Sequence, residues 1–451
     1  RLSNDMALGE TDFELMGMSG NNVKVLLDGV PLIDRGATKQ SLSQLDVNSI
    51  ERVEIVEGPM SVVYGTDALA GVINIITKKG DGYSEENTWR VGARVQEESM
   101  GKEYDFFKDK GLHNESIDLG FNHKSGLFVN GGYTRNNHGG WQGDLTGREK
   151  RWHPKDQALM NGMFGFQNRN MNVWYRLDFL DEKIFGPNNG SELQPEKVSD
   201  KDFLTKRYTH QLQSDWKLDN RLDVHAALSY QDYKRRTRTT ESDLSTGEKW
   251  LSSAEASQDI TQYKAWIARA TVAWNIAPEF SVQPGVEYQW TQGEGGRIDG
   301  TPKVSDLAFF LSAEYKPWEW LSLRPGVRTF IVADYDAPIA IPSVLTKFKL
   351  TKHMDLRLSY AYGFRSPTLQ ELYFSFHNDN HDIDGNPDLK AEYSHNITGS
   401  VAYRVLHSEK IHLTTTLSGF YNDFRDKISL AQNVDIPNYN TYYNIDRYKT
   451  V

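Results

Sequence analysis

Apolar and polar residues alternate in one segment after another from about Asn87 onward. In "NMNVWYRLDFL", Met171, Val173, Tyr175, Leu177 and Phe179 share one face, and Asn172, Trp174, Arg176 and Asp178 share the other. In "RLDVHAALSY", Leu222, Val224, Ala226, Leu228 and Tyr230 oppose Arg221, Asp223, His225 and Ser229. "SVQPGVEYQW" and "NITGSVAYRV" repeat the pattern. There, Val282, Val286 and Tyr288 oppose Gln283 and Glu287, and Ile397, Val401 and Tyr403 oppose Thr398, Ser400 and Arg404. Successive side chains on a strand point to opposite sides, so period two predicts strands with one greasy and one wet face.

An antiparallel sandwich would give the same alternation, with its greasy side turned to the core. Three features favour a membrane barrel. About fifteen such segments follow one another, each roughly ten residues or longer, enough to cross a bilayer at a tilt. Their connections alternate in length. Short ones lie near Asp219-Asn220, Ala277-Pro278, Pro317-Trp318, Thr351–His353 and His407–Glu409, and long ones cover Lys183–Leu204, Lys234–Asp259, Gly293–Ser305 and Phe364–Tyr393. In outer-membrane barrels the short turns face the periplasm and the long loops face outward. Trp216, Trp274, Trp318 and Trp320 gather beside the short turns, where an aromatic girdle would place them.

The first 80 residues have another texture. "VKVLLDGVPL" predicts a strand from Val23 to Leu27, ended by the turn pair Asp28-Gly29. "IERVEIVEG" alternates Ile50, Val53, Ile55 and Val56 with Glu51, Arg52, Glu54 and Glu57, and stops at Gly58-Pro59. A short helical or looped piece then leads to a buried strand over Val72–Thr77. This is a small α+β unit with a charged strand edge, the surface a plug would need inside a wide polar lumen.

Composition narrows the function. Of 451 residues, 51 are Lys or Arg and 61 are Asp or Glu, a net charge of −10. That balance argues against nucleic acid, which selects a basic face. There is no cysteine, so disulfides, thiolate metal sites and cysteine nucleophiles are excluded. No apolar run approaches the roughly 20 residues of a membrane helix. HExxH, Walker A, GxSxG and GxGxxG are all absent, so no enzyme class is indicated.

"VLLDGVPL" followed by "IERVEIVEGPMSVVYGTDALAGVINIITKK" closely resembles the plug domain of TonB-dependent outer-membrane receptors. "FRSPTLQELYF" (Phe364 to Phe374) followed by "GNPDLKAE" (Gly385 to Glu392) resembles the paired boxes of receptors for haem and related iron or cobalt chelates. The resemblance implies a β-class membrane fold. A small α+β plug over residues 1–82 would lie inside a large antiparallel transmembrane β-barrel over 83–451, of about 22 strands in the family. It implies binding and gated passage, driven through the inner-membrane protein TonB, with no intrinsic cofactor. No TonB box is recognisable before Leu26, and the expectation is a plug incomplete at its start and a barrel incomplete and unsealed at its C-terminal end.

The implied ligand is haem or an iron–siderophore, then cobalamin, then an oligosaccharide or peptide, with a surface protein as a candidate for its delivery. His377 and His381 lie between the two boxes on an outward connection. Relatives that bind haem carry an axial histidine in that interval, with His377 the first choice here as iron ligand; a solvated loop histidine is the plain alternative. Residues 1–112 contain no histidine, so a second axial ligand from the plug is missing. Arg35 and Lys39, after "DGVPL", suit propionate, phosphate or an anionic siderophore. Asp379, Asp382 and Asp384 could bind calcium but lack the EF-hand spacing. Glu51, Arg52, Glu54 and Glu57 are expected at the plug–barrel interface, facing Arg176, Arg269, Glu287 or Glu314. A passive porin or adhesin, with the plug-like unit merely narrowing the lumen, is the reading from another class.

Overall fold

The computed structural model describes residues 2–451 apart from 5–10, 16–19, 34–41, 58–60, 80–85, 255, 379–380, 408–411, 434–435 and 437. Among them, nineteen strands belong to one barrel-like sheet. Its paired registers run from Thr88–Glu98 round to Tyr439–Thr450. These pairings are antiparallel; the short strand His381–Asp384 alone runs parallel to its neighbour, Tyr439–Thr450. Thr88–Glu98 pairs with Leu112–Asn122, and Tyr439–Thr450 pairs with His412–Gln432; among the described residues no register joins Thr88–Glu98 to Tyr439–Thr450.

The burial pattern is inverted relative to a sandwich. Gln157, Arg176, Thr205, Thr209, Gln211, Gln213 and Ser229 are buried, whereas Leu212, Trp216, Leu228, Trp266 and Trp274 are exposed. The polar face therefore lines a filled lumen and the apolar face points outward, as lipid requires. Lys197–Lys217 and Leu222–Asp243 have 21 and 22 residues. At roughly 3.3 Å per residue, each extends about 70 Å and rises well clear of a bilayer.

Inside lies a four-stranded mixed sheet in the order Val30–Pro31, Val23–Leu27, Gly71–Thr77, Ile50–Glu57. Asp28 and Gly29 have φ of 52° and 81°, the left-handed pair that a tight hairpin needs. The Asp28 carboxylate accepts from the Thr77 amide (3.0 Å) and hydroxyl (2.7 Å), tying the turn to the last plug strand. Val23, Val25, Leu27, Leu69, Ala70, Ile73 and Ile75 form its core, closed on one side by Phe424 of the wall. The expected plug–barrel boundary near residue 82 falls outside the described residues.

Candidate functional site: plug seat and outer cavity

The wall holds the plug mainly through its backbone. Gln211 and Gln213 donate to the carbonyls of Leu27 (3.3 Å) and Asp28 (2.8 Å). Gln231 donates to the Pro31 carbonyl (2.7 Å) and accepts from the Ile33 amide (2.8 Å). Arg207 donates to the Gln44 carbonyl (2.9 Å), and the Gln44 side chain donates to Glu182 (2.7 Å). Asp46, at the N-terminus of a 3-10 turn, accepts from Thr134 (3.0 Å), and burial pushes its carboxyl pKa up. Such a polar seat can let go without exposing a large apolar core.

Two buried ion clusters stand beside it. Glu287 accepts from Arg269 (3.0 Å) and Arg328 (2.7 Å), while Arg269 also donates to the Val63 carbonyl of the plug (2.7 Å). Gly65 of the plug sits on this cluster with φ of 80°. A Cβ there would lie 3.0 Å from a Glu287 oxygen and 3.1 Å from an Arg328 nitrogen. The second cluster joins the two sequence boxes. Arg365 of "FRSP" bonds Glu371 (2.9 Å) in the short helix Leu369–Tyr373 and Glu392 (3.1 Å) of "GNPDLKAE". Glu371 is also the third residue of a capping box with Thr368. The boxes thus clasp the base of an outward connection.

Above the plug, on the long-connection side, is a cavity of about 480 Å³. Lys201, Arg235 and Arg297 line it with a single carboxylate, Asp259, which pairs with Arg297 at 3.3 Å. Arg235 lies 4.6 Å over the Phe203 ring, and Arg297 lies 4.3 Å over Phe376. The floor is Tyr233, Tyr263, Ile298 and Leu369, against which Ile33 of the plug packs. Below it, a cavity of about 190 Å³ reaches Lys24 and Asp67 of the plug, where burial lowers the amine pKa and raises the carboxyl pKa. A cationic, aromatic-walled chamber thus connects physically to the plug.

The residues singled out from sequence fall differently. Arg35 and Lys39 lie outside the described residues, as does Asp379. His377 is on the hairpin Ser375–Asn378/His381–Asp384, half exposed. Its Nδ1 meets Asp382 (2.5 Å) and its Nε2 meets Asp384 (3.1 Å). The Asp382 bond, first of all, raises the imidazole pKa. The backbone of His381 pairs with Asn378, and its side chain is not described. Among the described residues no group of three His, Asp or Glu is placed to hold a metal ion. Glu51, Arg52 and Glu54 do not make the wall contacts expected of them. Arg52 pairs with Glu54 (2.9 Å) and Glu51 (3.1 Å); Glu51 and Arg52 are exposed and Glu54 is half-buried. Glu57 ends the strand, with its side chain outside the described residues. Neighbouring Ile55 instead borders a cavity of about 2230 Å³ between plug and lower wall. Arg235 and Arg297 are both missed from sequence: Lys234–Asp259 reads as a connection, whereas the strand runs on to Asp243 and period two in "YKRRTRTT" puts Arg235 on the lumen face; Arg297 has no such signal.

A small mixed sheet seated in the lumen of an outward-greasy barrel defines a plugged outer-membrane barrel. Residues 2–72 match the TonB-dependent Receptor Plug Domain, and residues 283–450 match the TonB dependent receptor-like, beta-barrel family. The chain belongs to the TonB-dependent receptors, a family of outer-membrane proteins. It is 26% identical over 450 residues to the iron-regulated outer membrane virulence protein of Vibrio cholerae serotype O1, over 93% of this chain. The chain spans 61% of that relative's length. It is 42% identical over 79 residues to the vitamin B12 transporter BtuB of Vibrio vulnificus, covering 18% of this chain and 13% of that one. A ferric enterobactin receptor mutant from Pseudomonas aeruginosa superposes with a TM-score of 0.72 at 16% identity, covering 100% of this chain and 72% of that chain.

Proposed function

We propose that this protein is a receptor for an anionic ferric chelate of siderophore type, which it binds from outside and admits as the plug yields. The observation that carries the reading is the outer cavity. Three cations face one carboxylate there, two of the cations lie over aromatic rings, and the floor touches the plug. An anionic chelate with flat ligand arms finds charge, stacking surface and a volume in the usual range for small-molecule sites. Arg35 and Lys39, which follow Ile33 in sequence, add charge for the same ligand. Haem ranks second, because both ring nitrogens of His377 are engaged by carboxylates. TonB is the partner that supplies the pull on the plug, and Gln211, Gln213 and Gln231 are the bonds that give way.

The test is equilibrium binding to the detergent-solubilised protein, read by tryptophan quenching, with ferric catecholate, ferric hydroxamate, haem and cobalamin. A ferric siderophore should bind most tightly, and Arg235→Ala with Arg297→Ala should weaken it at least tenfold, since one charge-assisted bond contributes about 1.5–3 kcal/mol. Tight binding of haem or cobalamin alone, or ferric-chelate binding indifferent to both arginines, would overturn the reading.

A further inference from the structure

The outer surface carries a feature that chelate uptake does not use. Odd-numbered residues of Lys197–Lys217 and Leu222–Asp243 face the lumen, as the plug contacts of Arg207, Gln211, Gln213 and Gln231 require. Even-numbered residues therefore face outward. There, Trp216 and Trp274 mark a lower aromatic row, and Tyr208, Tyr230 and Trp266 an upper one, with Leu212, Leu228 and Ala270 between. Along a strand the rows are about 26 Å apart at roughly 3.3 Å per residue, or about 20 Å in height at the usual tilt of about 40°. That separation fits a hydrocarbon belt with an aromatic girdle at each edge.

Immediately above the upper row, on the long-connection side, the outward face turns basic. Lys206 lies directly opposite Lys234, Arg236 lies opposite Leu204, and Lys264 lies opposite Asp232. Lys206 reaches Asp181 at 3.4 Å, and Asp232 is bonded by Gln262 at 2.7 Å. Among the described residues, Lys234 and Arg236 form no ion pair, and both are exposed. Like charges directly opposite across two strands repel; Asp181 offsets Lys206 from the other side, and Lys234 faces it with no counter-charge of its own among the described residues. The position is informative in a chain of net charge −10. Just above a girdle is the depth of lipid phosphates, where basic side chains gain from anionic headgroups.

We propose that Lys206, Lys234 and Arg236 form a docking site for the phosphorylated headgroup of an outer-leaflet glycolipid, its acyl chains lying along the Tyr208–Tyr230–Trp266 ledge. The phosphate bridges the two opposed lysines and relieves their repulsion. Arg236, one strand step higher on the same face, takes a second phosphate or a sugar carboxylate.

The test uses the full chain in nanodiscs, titrated with lipid A carrying both phosphates and with enzymatically dephosphorylated lipid A, and read by native mass spectrometry. Wild type should retain the phosphorylated lipid and release it as salt rises. Lys206→Gln with Lys234→Gln should weaken retention by about fivefold for each cation removed, the scale for one charge near an anionic headgroup. Lys234→Arg should restore it beside wild-type Lys206. Heat-modifiable mobility and ferric-chelate binding should be unchanged in every variant. Equal retention of the two lipid forms, or retention unchanged in the double glutamine variant, would overturn the assignment. Displacement by millimolar inorganic phosphate alone would show free phosphate, not lipid, to be the occupant.

Discussion

Replacing Arg365 by methionine keeps most of the side-chain volume and removes the charge that joins the two boxes. Arg365, Glu371 and Glu392 are 4%, 6% and 2% exposed. In the variant, Glu371 keeps a bond from the Thr368 amide (2.8 Å) and Glu392 keeps one from the Ile428 amide (3.3 Å), but neither has a cation. Removing one partner of a buried ion cluster costs about 3–5 kcal/mol, because the remaining charges stay buried and unpaired. The two retained amide bonds and protonation of one carboxylate place the expected cost at the lower end, about 3 kcal/mol. Hydrogen exchange reads this locally at the amides of Leu372 and Phe374, which bond within the helix to Thr368 and Gln370, and of Asn386, which bonds across the clasp to Glu371. Their exchange should accelerate about a hundredfold if opening of the clasp governs it. The variant Arg365→Met, Glu371→Gln, Glu392→Gln should recover most of the protection, since neutral amides tolerate burial far better than unpaired carboxylates. Acceleration below about tenfold in the single variant, with no recovery in the triple, would refute the argument that the boxes form a charge clasp.

Other consequences follow from the seat and the hairpin. Gly65→Ala must hold φ of 80° and push into Glu287 and Arg328; a cost of about 1–2 kcal/mol is expected, seen as roughly tenfold faster exchange at the plug amides near Ala70. Gln211, Gln213 and Gln231 changed together to alanine remove four bonds to the plug and should loosen it by about 4 kcal/mol at about 1 kcal/mol per bond, so that proteolysis near Asp28 begins at lower urea while the barrel transition stays put. The His377 pKa is raised above its ordinary 6.5 by the Asp382 bond. Folding therefore favours the protonated ring. The hairpin should be best ordered below about pH 6.5 and loosen as pH rises through the raised value, with exchange at residues 375–384 as the readout. His377→Ala should flatten that dependence, and tighter ordering at alkaline pH would contradict it.

Period two made the barrel legible because a membrane barrel enforces it on both faces. Trp174 and Arg176 were assigned to the wet face against Tyr175 and Leu177, and they are buried in the lumen. The plug strands were legible as strands, but their contacts were not. Arg52 has a glutamate one residue before it and another two after it, so local pairing outcompeted the wall. The boxes were read as a ligand loop. Their buried core, Arg365 with two carboxylates drawn from a helix and a distant strand, is a tertiary arrangement that no spacing announces. His377 resembled an iron ligand by position, but Asp382 and Asp384 come to it across a hairpin whose register depends on the fold.

The most direct test of chelate binding above the plug is the place of the iron. Crystals soaked with a ferric catecholate and measured at the iron absorption edge locate the metal independently of the ligand's density. The account predicts one anomalous peak inside the outer cavity, between Arg235, Arg297 and the Tyr263 floor, over the Ile33 contact with the plug. A peak at His377, or none in that cavity under conditions where solution binding is saturated, would contradict it.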